Sequence, residues 1–572
     1  MPFQLISKLL SIFDKKHKLY ITLIFLLFFL QMLLELFSVT LFIPLISIIL
    51  DTEISNNSFY LFFKNNFDLD LYFILGDVKN FIILFVLTFV VKSVLTTYCN
   101  WNKIGFTYKI RKYLTSKLYQ KYLNSPYEDF ISKNSSLYLK NINHEVNTVS
   151  EGLFQLLEFF SEIVIVIGIG LFLINYNFEV TAIIFIIASL VIFLINFFTK
   201  KKITQLGDKV RTLEQFRIQN YVESFNLIKE IKIYGNEKFF EKRDHIFTSN
   251  FLKNDFIFRF IKSVPRVLVE LILIIIFVIL IAINLKVGDT KYILELLGIF
   301  AASAYRLMPS VVRIVMSLQV SKFALPAINN IVSEIISSPF YNSDNIEKKK
   351  ISKFKEKIQF SNICFTYKGT IKPILDNINL DIHCGKIIGF KGSTGSGKTT
   401  IINLLAGLIY PTKGSLYIDK NNYKELNIKS LHNLISYVPQ NTYLMDASIK
   451  DNIFFGSEKY TKTDLEDSIN KTNLKKFIEQ SPQGVETIIG EKSSKISGGQ
   501  AQRIGIARAL IKKPSILILD ESTNSLDIST EDQILESIKK LKGELTIILV
   551  SHNRNPLRIC DDIIDIDKLQ NK

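Results

Sequence analysis

Ile387-Ile388-Gly389-Phe390-Lys391-Gly392-Ser393-Thr394-Gly395-Ser396-Gly397-Lys398-Thr399-Thr400 begins as an apolar strand, passes through a glycine-rich loop and opens a helical stretch that runs on to Leu408. Strand, loop and helix in that order are the context in which a G-x-x-x-x-G-K-[ST] sequence cradles phosphates. Glycines let backbone N–H groups approach phosphate oxygens. Lys398 adds charge at the β and γ positions, and the Thr399 hydroxyl is placed to bind Mg²⁺. Gly392 through Thr400 are therefore candidate nucleotide-binding residues, with ATP and Mg²⁺ as the expected cofactors.

Downstream, Ser515-Ile516-Leu517-Ile518-Leu519-Asp520-Glu521 reads as a buried strand ending in two carboxylates. Many strands end in acids. At this distance after a phosphate loop, Asp520 is placed to hold Mg²⁺ through water and Glu521 to polarise an attacking water. Between the two lies Ile496-Ser497-Gly498-Gly499-Gln500. These residues resemble the signature of the ATP-binding cassette (ABC) superfamily, with Ile496 in place of the usual Leu. The resemblance extends to Tyr367 as the aromatic that stacks on adenine and to Gln440 as the Mg²⁺-sensing glutamine. It also covers Ser525-Leu526-Asp527 as the loop crossing a dimer interface, and His552 as the γ-phosphate histidine. Singly, Tyr367 or His552 reads as a packed aromatic or a surface histidine; their order and spacing favour the resemblance. Gly490-Glu491-Lys492-Ser493 is similar to the cross-linking loop of the exporters but lacks its usual second glycine. The resemblance implies a homodimer, because the signature Ser497, Gly498, Gly499 and Gln500 of one cassette face the phosphates bound by the other.

The 572 residues exceed one ordinary globular domain. A mean hydropathy of +0.24 beside 21% charged residues requires one very apolar region and one ordinary one. Six apolar runs, near 19–50, 79–99, 151–175, 178–198, 264–285 and 292–325, approach or exceed the ~20 residues that cross a bilayer. Asn175-Tyr176-Asn177 joins runs three and four, and residues 286–291 join five and six, whereas about 50 and about 65 residues separate the other pairs. The long connections carry Lys103, Lys109, Arg111, Lys112, Lys117, Lys121, Lys133, Lys140 and Lys200–Lys202. By the positive-inside rule they are cytoplasmic and the short ones face outside. Helices are expected to continue beyond the bilayer there. The first outer loop holds Asp51, Glu53, Asp68 and Asp70 with an apolar patch, Phe59–Phe63, which reads either as an interfacial helix or as a loop packed on helix tops.

The net charge of +16 follows the flanks of the apolar runs, which favours membrane topology over nucleic-acid binding. Residues 1–18 lack a small-residue cleavage site and read as an amphipathic helix on the cytoplasmic membrane face. Cys99, Cys364, Cys384 and Cys560 show no metal-ligand spacing. The expected architecture is multi-domain. An all-α polytopic membrane domain of six transmembrane helices with cytoplasmic extensions (1–335) leads through a lysine-rich linker (336–357) to an α/β P-loop cassette (358–572).

Membrane helices ahead of one cassette resemble ABC half-transporters of the exporter type. Both composite sites of a dimer are expected to be competent, since Lys398, Gln440, Glu521 and His552 are all present. For the cargo, the sixth run holds Ala304-Tyr305-Arg306-Leu307-Met308-Pro309-Ser310 and then Arg313. Charge in a membrane span is costly and usually functional. Arg306 and Arg313, seven residues apart, share one helix face at roughly 10 Å, and Pro309 between them is a candidate kink. Lys92 and Arg266 are further cations near or within the membrane. A ring of such groups suits an anionic headgroup such as pyrophosphate. The competing reading is structural, an ion pair such as Arg266 with Glu270, or snorkelling at the cytoplasmic edge. The Tyr-Arg-Leu-Met-Pro-Ser run, the later Arg313 and Val264-Pro265-Arg266 resemble the bacterial lipid-linked-oligosaccharide flippases of the PglK type, with Lys92 in place of an arginine. That resemblance implies a polyprenyl-pyrophosphate glycolipid substrate, protein N-glycosylation and a bacterial inner membrane with both termini cytoplasmic. A multidrug or lipid A exporter is the alternative within the class. A soluble ABC ATPase acting on ribosomes or DNA is opposed by the six apolar runs, and an ABC-based channel or regulator by the intact ATP-site residues.

Overall fold

The computed structural model describes residues 2–49, 78–284, 290–336, 348–490, 496–522 and 528–570. The chain divides into two compact units, residues 1–124 with 133–340, and residues 125–132 with 341–572. The Phe59–Phe63 patch and the acidic residues beside it lie outside the described residues, as do residues 491–493 and 525–527.

The first unit is helical. Its elements are α1 (Pro2–Ile12), α2 (Lys15–Thr40), α3 (Phe42–Ile49) and α4 (Val78–Leu123), with α5 (Tyr127–Ile131) belonging to the second unit, then α6 (Ser135–Lys140) and a π-helical turn Asn141–Glu145. There follow α7 (Val146–Tyr176), α8 (Phe178–Asn226), α9 (Ile228–Tyr234), α10 (Glu237–Asn284) and α11 (Thr290–Ile336). Five stretches among the described residues, within 15–46, 78–123, 135–176, 178–226 and 297–336, are long and apolar enough to cross a membrane. With α10, which carries the run 264–285, they make the six-helix membrane domain. The 46 to 49 residues of α4, α8, α10 and α11 correspond to about 70 Å of helix, more than twice a ~30 Å hydrocarbon core. The outward faces are apolar, as in the exposed Ile183, Ile186, Leu190, Phe193 and Phe197 of α8. Asn177 makes the tight α7–α8 connection by capping α8, its side chain accepting from the Val180 N–H at 3.0 Å.

One expectation is corrected. The apolar face of α1 is not turned to lipid. Leu5, Leu9, Ile12 and Phe13 are buried in a protein core with Phe106 and Ile110 of α4, Val149 and Leu153 of α7, and Ala324 and Ile328 of α11. Burial against side chains takes up the face that periodicity alone assigned to the membrane surface. Neither Pro309 nor Pro326 ends α11.

The helix α11 is the central packing element, and its most extensive partner is α7. Two glycines let the backbones approach. A Cβ built at Gly152 of α7 would fall 2.7 Å from Ala324 Cβ, and one at Gly207 of α8 would fall 2.4 Å from the Phe323 carbonyl oxygen. Small residues at such crossings are how membrane helices gain dispersion contact without a hydrophobic drive between them.

The second unit is α/β. Strands β1 (Lys357–Phe365), β2 (Leu375–His383), β4 (Lys413–Ile418) and β5 (Asn421–Asn422) form an antiparallel sheet in the order β2-β1-β4-β5. Strands β3 (Ile387–Lys391), β6 (Ile435–Val438), β7 (Ile516–Asp520), β8 (Thr546–Val550) and β9 (Asp562–Asp565) form a second sheet in the order β6-β7-β8-β3-β9. Its pairings are all parallel. Its central strands β3, β7 and β8 are apolar apart from the end residues Lys391, Asp520 and Thr546, as a sheet covered on both faces requires. In the same unit, Lys368 Nζ reaches Asp129 of α5 at 3.0 Å.

Gly207→Ala is expected to destabilise the membrane unit by about 1–3 kcal/mol, because the Phe323 carbonyl belongs to a helix backbone that cannot step aside. Gly105→Ala, which meets nothing within 4 Å, should be neutral or stabilising by up to ~1 kcal/mol. Thermal unfolding of the two variants in one detergent checks the contrast; equal midpoints would refute close packing at Gly207.

Candidate functional site

Ligands of open parallel sheets bind beyond the carboxyl ends of the strands. Four adjacent strands of the parallel sheet end in the residues singled out by the sequence. β3 leads into the glycine loop, β7 ends at Asp520 and continues to Glu521, β8 leads to His552, and β6 leads to Gln440. The helix α12 (Lys398–Leu405) starts directly after the loop, with Gly397 at its N-cap in a left-handed conformation, φ 90°. A side chain there would be strained and would also meet Leu375 at 2.7 Å.

Lys398 folds back over its own loop, donating to the carbonyl oxygens of Gly392 and Ser393 at 2.8 Å each. Ser393 donates from its N–H and its hydroxyl to Asp567, at 2.7 and 2.8 Å. These bonds hold Asp567 well below the usual carboxylate range, the backbone one first. Tyr367 packs edge-on against Phe365, and its hydroxyl lies 3.4 Å from Thr400 Oγ1. Glu521 stands at φ +46°, which is uncommon for a side chain of this size. Its N–H donates to the Val550 carbonyl at 3.0 Å. Gln440 Nε2 donates to Glu521 Oε2 at 2.9 Å, and His552 Nε2 lies 2.8 Å from Oε1. Gln440, Glu521 and His552 thus meet at one carboxylate. Beside it, burial pushes Asp520 above the usual carboxylate range; the Tyr437 hydroxyl donating at 3.1 Å opposes this, and the Glu521 charge adds to it. Ser497 caps α13 (Gly498–Leu510), accepting from the Gln500 N–H at 3.2 Å while Gln500 Oε1 accepts from the Ser497 N–H at 2.8 Å. Asp527 falls outside the described residues.

In the membrane unit the four candidate cations divide into two groups. Arg266, on the exposed side of α10, pairs with Glu270 at 3.1 Å, which is the structural alternative weighed from the sequence. The other three join one network. Lys92 of α4 reaches Glu35 of α2 at 2.7 Å. Arg306 Nε lies 2.8 Å from Glu35 Oε1, and one terminal nitrogen, Nη1, lies 3.6 Å from Glu162 of α7 and donates to the Ser310 hydroxyl at 2.8 Å. Arg313 Nε meets Glu162 at 2.6 Å, and Ser310 donates to the same carboxylate at 2.6 Å. Arg306 is nearly buried, at 13% side-chain exposure, whereas Arg313 is 42% exposed. They border a polar cavity of about 380 Å³ that also has Gln31, Lys103, Glu158 and Lys262 on its wall. The sequence reading named the cations and missed Glu35, Glu158 and Glu162. The available signal was an acid inside apolar run one and two acids, four residues apart, inside run three. Tyr437 and Asp567 were missed in the second unit because their roles depend on neighbours distant in the chain.

Comparison with known proteins agrees with both units. The family model described as "ABC transporter transmembrane region" matches residues 21–299, and the "ABC transporter" model matches residues 375–524. The fold matches a solved bacterial Atm1-family ABC exporter with ATP bound, at a TM-score of 0.78 and 19% identity, over 96% of this chain and 93% of that one. The chain thus joins an ABC transporter transmembrane region to an ABC ATP-binding cassette, an ATPase coupled to transport, on the fold of an exporter-type half-transporter; half-transporters of this kind function as dimers. Among its relatives, the ATP-dependent lipid A-core flippase of Wigglesworthia glossinidia brevipalpis is 29% identical over 80% of this chain and 79% of its own length. The protein of the same name from Syntrophus aciditrophicus (strain SB) is 37% identical, over 39% of this chain and 37% of its own.

If Glu521 acts on the attacking water, Glu521→Gln keeps the shape and the Gln440 contact but removes the charge that action requires. Steady ATP turnover is expected to fall by about 100-fold or more with nucleotide binding retained. Turnover near the wild-type rate, measured beside equilibrium ATP binding, would sink the role of Glu521.

Proposed function

We propose that this chain is an ATP-driven exporter that moves a phosphate-bearing glycolipid, of the lipid A kind, from the cytoplasmic to the outer leaflet of a bacterial inner membrane. In this reading residues 1–335 form the membrane domain and 358–572 the cassette, with both termini cytoplasmic. The observation that carries it is the polar cavity that extends from the apolar run of α11 towards the cytoplasmic connections, where Lys103, Lys262, Arg306 and Arg313 face three carboxylates, leaving a surplus of positive charge. Phosphate is the headgroup chemistry that such a surplus accommodates. The names of the relatives support lipid A over other amphiphiles. A polyprenyl-pyrophosphate-linked oligosaccharide is the second reading, favoured by the half-exposed guanidinium of Arg313, and would place the protein in protein N-glycosylation.

At the ATP site, Gly392–Thr400 hold the phosphates, Tyr367 stacks on the base and Glu521 acts on water, with His552 and Gln440 positioning it. Mg²⁺ fits the donor set. Asp520, Thr399 and the Gln440 amide offer hard oxygens, and the paired carboxylates of Asp520 and Glu521 favour a nearby cation. Bound there, Mg²⁺ would neutralise phosphate charge. Ser497, Gly498, Gly499 and Gln500 would close the site of the second copy. Mixing Lys398→Ala chains with Ser497→Arg chains then leaves one intact site per heterodimer. ATPase activity is expected to return in the mixture; a mixture no more active than either mutant homodimer, although it still binds nucleotide, would refute independent shared sites.

Reconstitution in liposomes tests the cargo, with lipid A, a polyprenyl-pyrophosphate glycan and a neutral amphiphile offered separately. Transport of the neutral amphiphile alone would overturn both readings. Arg313→Ala should slow phosphoglycolipid transport by about ten-fold, the value of one partly hydrated ionic contact, and leave basal ATP hydrolysis largely intact. Arg306→Ala should instead lower folded protein, since it leaves the buried Glu35 to Lys92 alone and Glu162 to Arg313 and Ser310, at a cost of about 1.5–3 kcal/mol. Glu35→Gln combined with Arg306→Gln should recover part of it, as read by monodisperse yield. Unchanged transport in Arg313→Ala removes the headgroup role.

A further inference from the structure

On the face of α11 away from the ion pairs lies a second cavity, of about 180 Å³, enclosed by α7, α8, α10 and α11. Leu307, Met308 and Val311 line it, while Arg306 and Arg313 line the polar one. Its wall on α11 runs from Phe300 to Ile314, and on α10 from Val269 to Phe277. At 1.5 Å per residue the α11 wall is about 21 Å long, so the space is long and narrow. Among the described residues no charged side chain lines it, and its polar groups are Ser189 and Ser303. The Ser303 hydroxyl is 1% exposed and has no hydrogen-bond partner.

Water needs two to four polar partners to occupy a buried site, and this wall offers at most two side-chain groups, the hydroxyls of Ser189 on α8 and Ser303 on α11. Left empty, its apolar side chains forfeit dispersion contacts on one side. The helices around it cross a membrane, and α8 and α10 present exposed apolar faces beside it, including Ile186, Leu190, Leu271 and Ile274. Hydrocarbon chains are therefore the medium at its entrance. We propose that this cavity binds a short stretch of one hydrocarbon chain of a membrane lipid, a few methylenes packed against α11. The chain belongs either to a resident phospholipid or to the transported lipid; the site does not depend on which glycolipid is carried.

The test uses the full-length protein in nanodiscs of phosphatidylethanolamine and phosphatidylglycerol containing phosphatidylglycerol with a diazirine in its acyl chain. After illumination, the cavity-lining residues Phe185, Ala188, Leu307, Met308 and Val311 should be labelled more strongly than the lipid-facing Ile186, Leu190, Phe193 and Phe197 of α8. Ala188→Trp and the smaller Ala304→Leu fill the cavity. Each should lower labelling of the cavity residues by about ten-fold, leave the lipid-facing residues unchanged and keep or raise thermal stability. Labelling that persists under ATP with vanadate marks a resident lipid, and labelling lost on trapping marks a chain that moves with transport; both support the site. Wild-type labelling no stronger in the cavity than on the lipid-facing residues overturns it, whether or not the variants fold. Labelling unchanged in both filled variants does so as well.

Discussion

A charge placed in hydrocarbon must find its counter-charge within the protein. Glu35 and Glu162 illustrate the constraint, with side chains only 4–5% exposed in stretches of helix rich in Leu, Ile and Phe. Lys92, Arg306, Arg313 and the Ser310 hydroxyl converge on them from α4 and α11. One network thereby ties α2, α4, α7 and α11 together and sets the rotation of α11. With Arg306, Ser310 and Arg313 turned to the acids, Leu307, Met308 and Val311 necessarily face the other way, where the apolar cavity lies. Lower on the same helix, Phe323 and Ala324 sit against Gly207 and Gly152, where any larger residue would push the helices apart. Charge pairing and close backbone approach together place α11 at the centre of the membrane unit.

The cassette obeys a different constraint, the register of a parallel sheet. The pairing of β7 with β8 puts Asp520 opposite Val550, and the Glu521 N–H then reaches the Val550 carbonyl. This helps hold Glu521 in a left-handed conformation that costs about 1–2 kcal/mol for an L-residue. The cost is met by contacts that Gln440 and His552 make to its carboxylate. Three residues separated by up to 112 positions in the chain thus become one site because their strands are neighbours.

The pairing of the membrane cations changes what they mean for transport. Read singly from the sequence, Arg306 and Arg313 form an open cationic grip. In the structure Arg306 is largely consumed in holding helices, and Arg313, half exposed, is the one with surface left for a ligand. This moves the weight of the cargo argument from a set of arginines to the cavity beside them, and it removes Arg266 from the candidates for a shared site.

The sequence by itself determined the class of machine. A glycine loop between strand and helix, a strand ending in Asp520 and Glu521 at the right distance after it, and six long apolar runs are local patterns whose chemistry follows from residue type and spacing, and the Ser497–Gln500 segment adds a resemblance to the ABC signature. Helix lengths and the tight connection at Asn177 were legible for the same reason. What only the tertiary structure decided is partnership: which acid each membrane cation meets, that α1 lies on protein, that Tyr437 donates to Asp520 and Asp567 accepts from Ser393, and that α11 separates a polar cavity from an apolar one. Hydropathy and periodicity report how a residue relates to its own helix or strand. Ion pairs, helix crossings and cavities depend on residues tens to hundreds of positions away, which become neighbours only when the elements pack.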